Sequence, residues 1–114
     1  MQNPVPLGDV IAERCFTLKD SLGEPRQITV RLGRPVSSTS PGLPHFRCPL
    51  QVIGIGRDEA IAAPAGEDAF MALQWAMNLA GDFIDGAVQR EGLVNHHRND
   101  LDEKSWIWRY ASED

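Results

Sequence analysis

Residues 67–92 read EDAFMALQWAMNLAGDFIDGAVQREG, and this stretch decides the fold. Ala69, Ala72, Leu73, Ala76, Met77, Ala80, Phe83, Ile84 and Ala87 recur at three- and four-residue steps. That period lays apolar side chains along one face of a helix. Gln74, Asn78, Asp82 and Asp85 fall on the other side, and Trp75 and Leu79 widen the apolar surface. Glu67 or Asp68 suits the positive end of the helix dipole. The spacing predicts a helix over residues 67–86, weakened at Gly86, with Gly92 as the stop signal. Small Ala72, Ala76 and Ala80 let it lie close to a sheet, burying Leu73, Ala76, Ala80 and Phe83.

Upstream, the period changes from helical to alternating. From Val10 to Leu18, Val10, Ala12, Phe16 and Leu18 share one face, and Glu13, Cys15 and Thr17 the other. Arg14 breaks the pattern by falling on the apolar face. Lys19 to Pro25 carries turn residues. Arg26 to Leu32 alternates cleanly, with Ile28, Val30 and Leu32 opposite Gln27, Thr29 and Arg31, and predicts an antiparallel hairpin with the first strand. Residues 37–44 read as a flexible, solvated loop. Phe46 to Ile55 predicts a third strand, at an edge or bulged where Pro49 cannot donate a hydrogen bond. Residues 60–63 suggest a short fourth strand.

Downstream, residues 95–104 read as a polar loop and 105–110 as an aromatic strand. The order implies an α+β fold: a mainly antiparallel sheet of three to five strands with one long helix packed on one face. A chain of 114 residues fits a single domain, 1–114, with 1–9 and 111–114 as flexible ends.

The net charge of −5 is unevenly spread. Residues 1–57 hold seven basic and four acidic side chains; residues 58–114 hold four basic and twelve acidic ones. An acidic domain is a poor general partner for nucleic acid, because counterion release needs clustered Lys and Arg. No apolar run approaches the roughly 18 residues of a membrane span. The first residues show neither a basic nor a long apolar leader region. A cytoplasmic protein without a membrane partner is expected. Cys15 and Cys48, without CxxC spacing, read as reduced thiols.

Three stretches are jointly familiar: Ile11-Ala12-Glu13-Arg14, residues 48–56 (CPLQVIGIG) and Ala69 to Gly81. They resemble a family of small bacterial proteins catalogued as a domain of unknown function. The resemblance spans residues 10–86 and rests on strand ends and a helix face. It implies a bacterial cytoplasmic origin and carries no activity, substrate or catalytic residue.

Residues with chemistry are few. His96 and His97, beside Asp100 and Asp102, lack metal-ligand spacing and read as a solvated loop. Gly54-Ile55-Gly56 begins like a dinucleotide fingerprint but lacks its third glycine and an immediate helix. Asp82 and Asp85 form a carboxylate pair on the exposed helix side, without the burial that separates pKa values. No catalytic residue, metal or cofactor is expected. Arg14, Arg31 and Arg47 stand one in each predicted strand. Arg31 and Arg47 would emerge on the open sheet face, with Arg14 reaching them from the rim. Such a cluster suits an anionic partner, or is an ordinary polar face with local ion pairs. Trp106, Trp108 and Tyr110 alternate onto one face, as core packing or as a contact with a partner or second copy. These features suggest a non-enzymatic interaction module, of immunity or regulatory type, with another protein as partner and a homodimer as one form of it. The other reading is a small-molecule-binding or enzymatic domain using the arginines. A concave apolar pocket lined by Arg14, Arg31 or Arg47 would favour that second reading.

Overall fold

The computed structural model describes residues 6–39, 44–56, 61–94 and Trp106. β1 (Val10–Lys19) and β2 (Pro25–Gly33) form the expected hairpin, with Phe16 opposite Ile28 and Arg14 opposite Val30. β3 (Val36–Thr39), β4 (Pro44–Arg47), β5 (Leu50–Ile53) and β6 (Ala65–Gly66) follow, then α1 (Ala69–Glu91). The fold is α+β, and every strand pairing described is antiparallel.

The strands form two sheets, β1-β2-β5 and β3-β4-β6, where one sheet was expected. The division has a local cause. The predicted third strand, 46–55, is interrupted at Cys48-Pro49, so β4 pairs in one sheet and β5 in the other. Opposite it, β2 and β3 are separated at Arg34-Pro35. Two prolines without amide donors thus interrupt both arms of one long hairpin at the same level. The Gly33 amide donates to the Pro49 carbonyl at 2.7 Å and closes the corner. Residues 62–66 bind the seam: Leu50 and Ala62 exchange backbone hydrogen bonds, and the Cys48 amide donates to Pro64. The predicted loop at 37–44 is therefore corrected at both ends. Ser37, Ser38 and Thr39 are strand residues paired with Phe46, His45 and Pro44. Pairing with a neighbour overrides their loop-like composition. Within the expected fourth strand at 60–63, Ala62 makes an isolated bridge, and the strand proper is Ala65–Gly66.

α1 starts where the Asp68 side chain accepts from the Met71 amide at 2.8 Å. It ends at Gly92, whose φ of 64° places it in the left-handed region and whose amide returns to the Val88 carbonyl. The helix continues through Gly86, past the expected span of 67–86, to Glu91. Ala87 is fully buried, and a hydrogen bond and an ion pair hold the last turn: Arg90 Nη2 donates to Ile55 O at 3.1 Å, and Glu91 pairs with Arg26 at 2.8 Å. Ala72, Ala76, Ala80, Ile84 and Ala87 are completely buried against Phe16, Ile28, Val30, Leu50 and Val52. Leu73 is half-buried, and Phe83 is 36% exposed where burial was expected. The narrow alanine row, not the wide stripe, is what fits against the sheet. After α1 the chain returns to β1, and Lys19 and Val94 exchange backbone hydrogen bonds.

Candidate functional site

The inner face of the β1-β2-β5 sheet carries rows set by register: Arg14, Val30 and Val52 in one, and Ala12, Leu32 and Leu50 in the next. α1 lies against β2, β4, β5 and β6. The first half of β1 is left uncovered. Val10 is 46% exposed, and Ala12 is exposed although its row-mates Leu32 and Leu50 are buried. At this corner lies a cavity of about 190 Å³, bounded by Ala12, Arg14, Val30, Leu32, Met77 and Trp106, with Glu13 at its edge.

Trp106 is a core residue in helical backbone, not part of a strand. Its indole N–H donates to the Met77 carbonyl at 2.7 Å. The ring sits on Gly81, where a Cβ would stand 2.5 Å from its Cδ1. That contact explains a glycine in the middle of a helix, which otherwise costs about 1 kcal/mol. Trp108 and Tyr110 lie outside the described residues, as do His96 and His97.

The three arginines do not converge. Arg14 lies on the inner face, half-buried at the cavity wall. Arg31 emerges on the opposite face, as expected, and its Nε donates to Glu13 at 2.7 Å. Both side chains of that pair are more than 40% exposed, so the contact adds little stability. Arg47 belongs to the other sheet, and its Nε donates to the Ala63 carbonyl at 2.8 Å. One arginine per strand makes a cluster only if residues 46–55 form one strand, and β4 and β5 belong to different sheets.

The Gly54-Ile55-Gly56 turn serves the fold. Gly54 and Gly56 have φ of 96° and 77°, conformations that L side chains rarely adopt. Arg26 Nη1 donates to Gly54 O at 3.4 Å, Arg90 holds Ile55 O, and the Glu91 carboxylate packs where a Gly56 side chain would be. The turn fastens the end of β5 to the last turn of α1. Cys48 is fully buried, its Sγ donates to Gly33 O at 3.4 Å, and burial pushes its thiol up. A thiol held protonated is a poor nucleophile. Cys15 is half-buried, in contact with Thr29, and both cysteines are free. Among the described residues, no group of three His, Cys, Asp or Glu is placed to hold a metal ion. No helix among them is long and apolar enough to cross a membrane.

The outer flank of α1, beyond the buried alanine row, is also apolar. Met71 is 41% exposed, Trp75 53% and Phe83 36%, and Leu79 between them is half-buried. These four residues step by four along α1, forming an apolar ridge that turns roughly 40° per step. Gly86 stands half-buried beyond it, with only the Arg90 guanidinium, at 3.6 Å, near a Cβ built there. The signal was present as the Trp75 and Leu79 widening, but periodicity does not tell an outer flank from a buried one. Comparison of the chain with protein-family models, curated proteins and solved structures found no match.

Proposed function

We propose that the chain is a non-enzymatic protein-interaction module whose docking surface is the outer flank of α1, while the Arg14-lined cavity favours a small-molecule site in the same chain. The observation that carries this is the exposed ridge Met71-Trp75-Leu79-Phe83. Scattered apolar residues need no explanation, but a line of them containing a tryptophan is how interface anchors are arranged. Gly86 supports it: no packing within the described chain demands a glycine there, and its missing side chain permits close approach of a second backbone. The partner that fits is an amphipathic helix, because a ridge of four-residue steps packs into the groove of another helix. Asp82 is exposed within this flank, and residues 58–114 are strongly acidic, so basic residues beside the partner's apolar stripe are favoured. A bacterial cytoplasmic partner protein of immunity or regulatory type suits the size and acidity, by analogy with other small acidic partner proteins.

The test uses a fluorescent Leu/Lys amphipathic helical peptide titrated with the full chain. Binding should weaken at least about tenfold in Trp75→Ala, the loss typical of an interface anchor. It should be unchanged in Leu22→Ala, which alters an exposed leucine in the β1-β2 turn, outside the ridge. Equal affinity of all three proteins would reject the ridge. Sedimentation of the free chain runs alongside: a dimer that Trp75→Ala dissolves would make the occupant a second copy.

A further inference from the structure

We infer that the corner cavity between β1, α1 and Trp106 is a binding site for a small amphipathic anion, an aryl or branched-alkyl monocarboxylate. Its floor is apolar: Val30 and Leu32 from β2, Ala12 from β1, Met77 from α1 and the indole of Trp106. An apolar cavity of roughly 150 Å³ takes up benzene, so about 190 Å³ has room for an aryl ring and a carboxylate. The cavity opens to solvent because Ala12 is too small to cover it, and Ala12 is exposed although it faces the helix side. Two charged residues line it among the described residues: Glu13, whose carboxylate is paired with Arg31 on the opposite sheet face, and Arg14, half-buried beside Val30 and Leu32. Arg14 makes a contact of its own within the chain, but a guanidinium has more N–H donors than one partner uses. In partly desolvated surroundings it pairs with a carboxylate through charge-assisted, often bidentate, hydrogen bonds. An apolar floor with a few placed polar groups is the usual make-up of a small-ligand site. This site lies on the inner side of α1 and is independent of the outer ridge.

The experiment is an NMR titration of the full chain with phenylacetate, with phenethylamine as a cation of like size. Phenylacetate should give saturable shifts confined to Ala12, Val30, Leu32, Met77 and the Trp106 indole N–H. A dissociation constant on the order of 1 mM is expected for so small a ligand. Arg14→Gln should weaken binding roughly tenfold, as loss of a charge-assisted hydrogen bond does. Ala12→Phe, on an exposed edge-strand position, should fill the cavity and abolish binding while the charge is kept. No saturation at about 20 mM would overturn the site. So would equal binding of phenethylamine, or wild-type affinity in Ala12→Phe. If Arg14→Gln fails to fold, the Ala12→Phe and phenethylamine arms still decide.

Discussion

At the scale of single residues, small side chains mark where other groups come close. Gly81 and Trp106 are the sharpest case. The indole occupies the space of a missing Cβ and donates to the carbonyl of Met77, one turn earlier in α1. Gly81→Ala should therefore destabilise the chain by about 1–3 kcal/mol in urea unfolding, although alanine is the better helix former. In a Trp106→Ala background the same change should become neutral or stabilising, a coupling that a double-mutant cycle measures. Equal effects in both backgrounds would place the indole elsewhere. Neither half of this contact was legible beforehand. Helical periodicity gives no reason for a glycine at position 81, and the aromatic composition around Trp106 favours a strand. The arginines show the opposite limit. Arg31 emerged on the open face as alternation predicts, and Arg14 kept to the apolar face where alternation put it. Arg47 went elsewhere because the chain bends two residues later.

At the scale of elements, α1 separates periodicity from burial. Ile84 and Phe83 both belong to the stripe read from the sequence, yet Ile84 is fully buried and Phe83 is 36% exposed. Ile84→Asp should place an unpaired charge in the core and cost several kcal/mol, enough to unfold a small domain. Phe83→Asp should cost about 1 kcal/mol. Thermal melts of the two variants check this, and similar losses would mean that the helix is rotated from the orientation described. The limits of α1 were legible at Asp68 and Gly92, because caps are local chemistry. Its passage through Gly86 was not, because Arg26, Arg90 and Glu91 hold the last turn through contacts remote in sequence. The outer ridge likewise needed the packing of the inner face to be known first.

At the scale of the whole molecule, both described sheets and α1 share a single core. Phe46 of β4 packs against the same cluster that joins β1, β2, β5 and α1. Residues 62–66 cross the seam with backbone hydrogen bonds to both β4 and β5. Far-UV circular dichroism and tryptophan fluorescence should therefore report one coincident urea transition. Separate transitions would mean that β3-β4-β6 unfolds on its own. By itself, the sequence determined the α+β class, the β1-β2 hairpin and its faces, and the place of α1, with Glu67 or Asp68 at its start and Gly92 as its stop. Each follows from a period or a cap written within a few consecutive residues. Only the tertiary structure decided the split into two sheets, which side of α1 stays exposed, the seat of Trp106 and the cavity beside Arg14. Each depends on which distant segments pack together: a strand continues, bends or changes sheet according to its neighbour, and a face is buried only where another surface arrives to cover it.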